Sequence, residues 1–358
     1  MKALCPSLVL ASLVGSAAQA DVATGWVFKG QLSFGVLATN NGAGSESYLA
    51  ENGQSPSRLG VWYRHKVSSG GLLKFTLETG LGLTDLSEDS PDNDRLDFDY
   101  DKTALRKFEV IYASPRAGTF SSGQGSMASD GASGVDLSGT AFAHAAAIGD
   151  LGGGTEFLLG DGTVSNVFVS DVFDDLDGPR RFRLRYDTQA EIGLTASVAA
   201  GREILRSGDD RAFYDVALAY AFETAVHNAE AILSYEWIDN DEERFLFSAG
   251  VLHTQTGLNV SFATGANQIG DGDYAYIKIG QQRDLFAMGR TAVSLEYYDG
   301  NDLGHAGSNS EAFGIGGSQQ IDALNLEIVG AFRRYDASLS STQFQSIDVA
   351  MLGARWRF

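Results

Sequence analysis

The residues with the most chemical potential in this sequence are charged, and they come in blocks. Between Met127 and Pro179 lie nine carboxylates and no lysine or arginine: Asp130, Asp136, Asp150, Glu156, Asp161, Asp171, Asp174, Asp175 and Asp177. Directly after them comes Arg180-Arg181-Phe182-Arg183-Leu184-Arg185. Side chains of an extended segment alternate between two faces, so Arg181, Arg183 and Arg185 project to one side and Phe182, Leu184 and Tyr186 to the other. Arg58, Arg64 and Lys74 share the polar parity of their own segments. Folding the acidic segment against these basic faces would set opposite charges across a narrow opening, where low-dielectric walls focus the field and discriminate among ions. For any single Asp a solvated loop is the plainer reading. The whole set beside the arginines favours a constriction, with Arg58, Arg64, Lys74, Arg181, Arg183 and Arg185 as its basic wall and Asp130, Asp136, Asp150, Glu156 and Asp161 as its acidic side.

Other chemistry is thin. Asp85, Glu88, Asp89, Asp92, Asp94, Asp97, Asp99 and Asp101 form a second acidic run around Arg95. Clustered carboxylates suit hard cations, so loosely held Ca²⁺ or Mg²⁺ is conceivable there, but the spacing matches no EF-hand and solvation is the default. No cofactor is expected. The five histidines (His65, His144, His227, His253 and His305) fall in no zinc motif. There is no G-x-S-x-G elbow and no phosphate-binding glycine loop, so the expectation is not an enzyme.

The elements that must carry these blocks are strands. Of 358 residues 44% are hydrophobic, which excludes disorder, and 43 Gly against 5 Pro suits many strands closed by turns. A net charge of −20 argues against a nucleic-acid partner, which would demand a basic footprint. Residues 1–20 read as a cleaved signal peptide. Lys2 precedes an apolar core from Leu8 to Val14, and Ala18-Gln19-Ala20 supplies the cleavage site. The single cysteine, Cys5, leaves with it, so no disulfide staples the exported chain, residues 21–358.

Alternation with a period of two pervades that chain, and helical periodicity is weak. From Leu72 to Leu83 the residues Leu73, Phe75, Leu77, Thr79, Leu81 and Leu83 share one face, opposite Lys74, Thr76, Glu78, Gly80 and Gly82. Short turns such as Ser68-Ser69-Gly70-Gly71 alternate with long polar connections, and the breaks delimit sixteen strands. Charged residues recur mid-strand on the polar faces, as a wet lumen tolerates. Aromatic residues gather near strand ends (Tyr112, Tyr186, Tyr220, Phe222, Tyr235, Trp237, Tyr297, Tyr298 and Trp356), where a membrane-interface girdle would lie. The fold class is therefore all-β, a sixteen-stranded antiparallel transmembrane β-barrel, because a sheet in lipid must close on itself. A secreted β-sandwich acting as an adhesin or binding protein would show the same period, but it does not account for the mid-strand charges or the girdle.

The chain ends Ala354-Arg355-Trp356-Arg357-Phe358, which resembles the C-terminal signature of Gram-negative outer-membrane barrels. That resemblance implies recognition of Trp356 and Phe358 by the barrel-assembly machinery. Three further stretches resemble the general porins of Gram-negative bacteria, most closely those of alphaproteobacteria. They are Phe108-Glu109-Val110-Ile111-Tyr112 leading through Gly118-Thr119-Phe120 to Gly123-Gln124-Gly125; Arg183-Leu184-Arg185-Tyr186-Asp187-Thr188; and Ala312-Phe313-Gly314-Ile315-Gly316 with Gln320-Ile321-Asp322. The resemblance implies a homotrimer in the outer membrane, in contact with its lipid and lipopolysaccharide, with a third loop folded inward. The expected function is passive diffusion of ions and small hydrophilic solutes. A substrate-selective channel or a barrel enzyme is the alternative on the same fold.

Overall fold

A period of two fixes which side chains meet lipid, and the computed structural model shows the result for residues 24–83, 98–239, 242–268, 270 and 272–358. The expected signal peptide and most of the acidic run from Asp85 lie outside the described residues. The first wall strands are β1 (Gly25–Asn40), β2 (Ser45–Glu51), β3 (Arg58–Lys66), β4 (Leu72–Gly80), β5 (Leu105–Ser114) and β6 (Gly118–Ser126). The segment 127–179 follows and contains the short strands β7 (Glu156–Leu158) and β8 (Val164–Phe168) and the one-turn helix α1 (Val169–Val172). The wall resumes with β9 (Arg180–Asp187), β10 (Leu194–Arg202), β11 (Ala212–Glu223), β12 (His227–Ile238) and β13 (Glu242–His253). It continues through β14 (Leu258–Asn267), β15 (Asp273–Phe286), β16 (Gly289–Asn301) and β17 (Ser308–Ile321). The last strands are β18 (Leu326–Leu339), the two-residue β19 (Thr342–Gln343) and β20 (Ile347–Arg357).

Neighbours pair antiparallel, and β1 pairs with β20 (Leu32 opposite Trp356), which closes the sheet. Both β2 and β3 pair with β1, through Phe34–Glu51 and Gln31–Arg58, so they act as one wall strand interrupted at 52–57. Sixteen staves result, as the sequence led one to expect. The seam is finished by the last residue: Gly30 N–H donates to the Phe358 carbonyl at 3.0 Å, and Phe358 N–H donates to the Gly30 carbonyl at 3.1 Å. In the turn after β13, Gly257 adopts φ +69°, and a Cβ there would lie 1.8 Å from the Gln282 carbonyl oxygen, so only glycine fits.

Outward positions carry exposed apolar groups, among them Phe28, Leu184, Ile279 and Leu352, as a lipid-facing surface requires. Inward positions on β11–β20 are buried instead. Ile232, Leu246, Tyr274, Tyr298, Tyr335 and Val349 pack with Phe142, Ile148, Leu151, Phe157, Val169 and Phe173 of segment 127–179 in one apolar cluster. Burying each large apolar side chain of that segment contributes about 1.5–3 kcal/mol.

Three expectations need correction. The strand from Leu72 stops at Gly80 rather than reaching Leu83. Tyr298 is no girdle residue: its neighbour Tyr297 faces out, so it faces in and donates to the Asp174 carbonyl at 2.7 Å. The inner wall is not wet all round, because segment 127–179 is an ordered insert with its own dry core against half of it.

Candidate functional site

Parity and register bring the charged residues into the lumen from two halves of the wall. On one half, three ionisable residues lie side by side: Lys278 on β15 pairs with Glu296 on β16, and Gly314 of β17 separates Glu296 from Arg333 on β18. A Cβ on Gly314 would sit 2.3 Å from the Glu296 carboxylate, and one on Gly316 would sit 2.1 Å from the His144 ring. These two glycines are the hollow into which the insert docks.

The insert is tied into that hollow by buried charge. Lys278 Nζ lies 2.6 Å from Asp136 Oδ2, and Glu296 lies 2.6 Å from both His144 Nδ1 and Arg333 Nη2. Tyr276 donates to Glu296 at 2.7 Å, Arg333 Nη1 donates to the Ile148 carbonyl at 2.8 Å, and Ser129 N–H donates to Asp215 at 2.7 Å. Burial would raise the Asp136 carboxyl, but the Lys278 ammonium and Ser138 outweigh it and hold it below the usual range. Burial keeps the His144 imidazole below its ordinary value against the pull of Glu296. At the far end of the insert, burial and the neighbouring Asp174 push Asp175 up to about 6. Asp177, which accepts from Gly131 N–H at 2.9 Å and Ser133 N–H at 3.1 Å, is raised by burial and by Asp175.

The other half, formed by β1, β3–β6, β9 and the C-terminal end of β20, stays polar and basic. Arg58, Arg64 and Lys74 project inward, joined by Lys29 on β1 and Lys107 on β5. A bulge between Glu78 and Thr79 lets Arg106 reach Glu78 at 2.9 Å although Lys107 stands directly opposite it. Arg106, Glu78, Arg355 and Arg180 all act on Arg58 electrostatically. Here the edge of the insert meets the wall: Arg180 lies 3.4 Å from Asp130, and Arg355 stacks on the Phe142 ring at 4.5 Å. Lys29, Arg58, Arg64, Lys74 and Lys107 have no carboxylate within ion-pair distance among the described residues.

The expected residues therefore separate. Arg181, Arg183 and Arg185 do face inward, but Arg183 and Arg185 are buried. Arg183 pairs with Glu109 at 2.5 Å and donates to the Gly123 and Ser126 carbonyls. Arg185 pairs with Asp187 at 2.8 Å and donates to the Met127 carbonyl, while Arg181 reaches Glu203 at 3.2 Å across the Phe213 ring. Arg183 and Arg185 hold the root of the insert. Of the acidic set, Asp130 alone meets the basic wall. Asp136 turns to the opposite half, and Asp150 sits half-buried in the short turn beside Tyr335. Glu156 accepts from Asn166 N–H at 2.6 Å, and Asp161 shapes the exposed β7–β8 turn with Thr163. Trp356 and Phe358 face outward, their rings 4.9 Å apart. Sequence reasoning did not place Lys278, Glu296, Arg333, Lys29 or Trp62 among the site residues. Their signal was a charged or aromatic residue at an inward-parity position in mid-strand.

A closed antiparallel barrel with an insert lying against half of its inner wall and charge lining the rest is a transmembrane channel. The chain belongs to the Gram-negative porins, whose family model matches residues 7–338. Solved structures share the fold at low identity. An anion-selective porin from Comamonas acidovorans is 15% identical with a TM-score of 0.61, covering 94% of this chain and 100% of its own. A mutant of the Rhodopseudomonas blastica porin is 13% identical with a TM-score of 0.54 and coverage of 93% and 100%. OmpT, an outer-membrane protein of Vibrio cholerae solved in a trimer form, is 12% identical with a TM-score of 0.56 and coverage of 94% and 100%. No curated protein sequence matches the chain. The protein is an outer-membrane porin, a channel for passive diffusion of ions and small hydrophilic solutes.

Proposed function

We propose that this porin passes small anions in preference to cations, and that passage involves no bond made or broken. The observation that carries the reading is the imbalance of free charge on the open half of the lumen. Arg58, Lys74 and Lys107 have no ion-pair partner among the described residues, whereas Asp130 and Asp136 of the insert are paired. The net charge of −20 belongs to the whole chain. An ion in a low-dielectric throat responds to the nearest unpaired groups, because more distant charges are screened beyond about 8–10 Å in physiological salt. The anion selectivity named for the Comamonas acidovorans protein of the same fold is consistent with this reading. In its membrane the chain would work as a homotrimer in contact with lipid and lipopolysaccharide, delivered by the barrel-assembly machinery through Trp356 and Phe358.

The test is the zero-current potential of purified protein in a planar bilayer under a KCl gradient. Ohmic steps with a reversal potential on the chloride side are expected. A reversal potential on the potassium side would overturn the anion preference.

A further inference from the structure

Beyond the meeting of insert and wall, towards the short-turn side of the barrel, the lumen holds a second charged group centred on Trp62. This residue faces inward on β3, opposite Val27 of β1 and Thr76 of β4. Lys74 Nζ lies 4.1 Å from the centre of its ring, Lys29 Nζ 4.4 Å and the Arg64 guanidinium 5.5 Å. Arg64 and Lys74 stand directly opposite each other on neighbouring strands, a destabilising arrangement for like charges. Glu109 is the acid that acts on Lys74, and Arg183 already holds it at 2.5 Å. The indole N–H is buried and has no acceptor. Three cations thus crowd one ring, and none of them has an ion-pair partner among the described residues.

One indole ring cannot offset that much repulsion. A cation–π contact contributes about 0.5–2 kcal/mol, and the three cations share a single ring. A compact anion with several acceptor oxygens would match the donors and neutralise the charges together, as charge-assisted hydrogen bonds do most strongly. We propose that Trp62, Lys29, Arg64 and Lys74 form a binding station for multivalent oxyanions in the periplasmic half of the channel. The station deepens the anion reading above and rests on it. Its ligand class is phosphate-like: inorganic phosphates or small solutes bearing a phosphate group. The ring holds the two ammonium groups 4.4 and 4.1 Å from its centre, ready to turn to an entering anion. The station is separate from the place where Arg180 and Arg355 meet the insert, so it acts on a solute after or before the throat.

The experiment is single-channel recording of the full protein at constant KCl, with inorganic pyrophosphate added on either side. Concentration-dependent current noise or partial block is expected. The combined change Lys29→Gln and Lys74→Gln should weaken it about tenfold or more, a loss of at least about 1.4 kcal/mol of binding. Trp62→Phe, which keeps a ring but removes the N–H, should weaken it by a smaller factor and checks that packing is retained. A wild-type potential on the potassium side would sink the anion preference itself. A chloride-side potential without any pyrophosphate effect, or with an effect equal in wild type and the double variant, would overturn the station alone.

Discussion

The two halves of the lumen obey one alternation rule and end in opposite states. On β11–β20 the inward residues are buried: Lys278 and Arg333 are fully enclosed, and each has found an acid. On β1, β3, β4 and β5 the inward cations Lys29, Arg58, Lys74 and Lys107 face the open side without ion-pair partners among the described residues. Facing inward therefore does not make a charge part of the conducting surface. What lies opposite decides whether a charge anchors the insert or meets a passing ion.

That contrast can be broken first at its strongest point. Arg333→Met removes the cation from Glu296 and the donor from the Ile148 carbonyl, leaving a buried carboxylate without its arginine. Breaking a buried pair in this way costs about 3–5 kcal/mol. The insert should unseat, giving larger, noisier conductance and new protease cleavage within 127–179. Unchanged single-channel conductance and unchanged cleavage would remove the buried network from its anchoring role. A smaller effect is expected from Gly316→Ala, whose new methyl meets the His144 ring, with an overpacking cost of about 1–3 kcal/mol. Heat modifiability in SDS measures it, and a wild-type transition temperature would contradict the docking hollow.

The two ends of the insert should respond to pH with opposite sign. Asp175 is raised to about 6, so its contribution is present at acid pH and lost as pH climbs from about 4 through 6. Asp136 is depressed, so its contribution is present above about 4 and lost only as pH falls below that. Hydrogen exchange, corrected for intrinsic rate, should show Gly131 and Ser133 less protected at pH 8 than at pH 5. Asp175→Asn should flatten that trend, and a wild-type trend of the other sign would refute it. The smallest stability effect belongs to the open half: Arg58→Gln with Lys107→Gln should change stability by no more than about 0.5 kcal/mol. The same pair should move the KCl reversal potential towards potassium. Arg183→Gln should do the reverse, destabilising the barrel by orphaning Glu109 while barely moving the potential. Equal shifts of potential from both variants would show that the two halves are not distinct.

Much of this was legible in the residues, and the failures are specific. Strand count and facing came through because they depend on neighbours in the chain. Arg181-Phe182-Arg183 alternates whether or not anything lies opposite it. Tyr298 was misplaced because aromatic composition was read without parity, and two adjacent residues of one strand cannot both face lipid. The acidic segment was read by its charge alone, whereas Phe142, Ile148, Phe157 and Phe173 within it carry the burial. Those apolar residues show neither a helical nor a strand period, so they gave no local signal.

By itself the sequence determined a closed wall with lipid on one side and polar groups on the other, since each strand writes its own two faces at every second residue. Only the tertiary structure decided that Asp136 would leave the arginines for Lys278, that His144 would fill the space over Gly316, and that Lys29 and Lys74 would share Trp62. Those partners are far apart in the chain or on different strands. Their meeting depends on how the insert packs across the lumen, a balance of burial and charge pairing that no local pattern encodes.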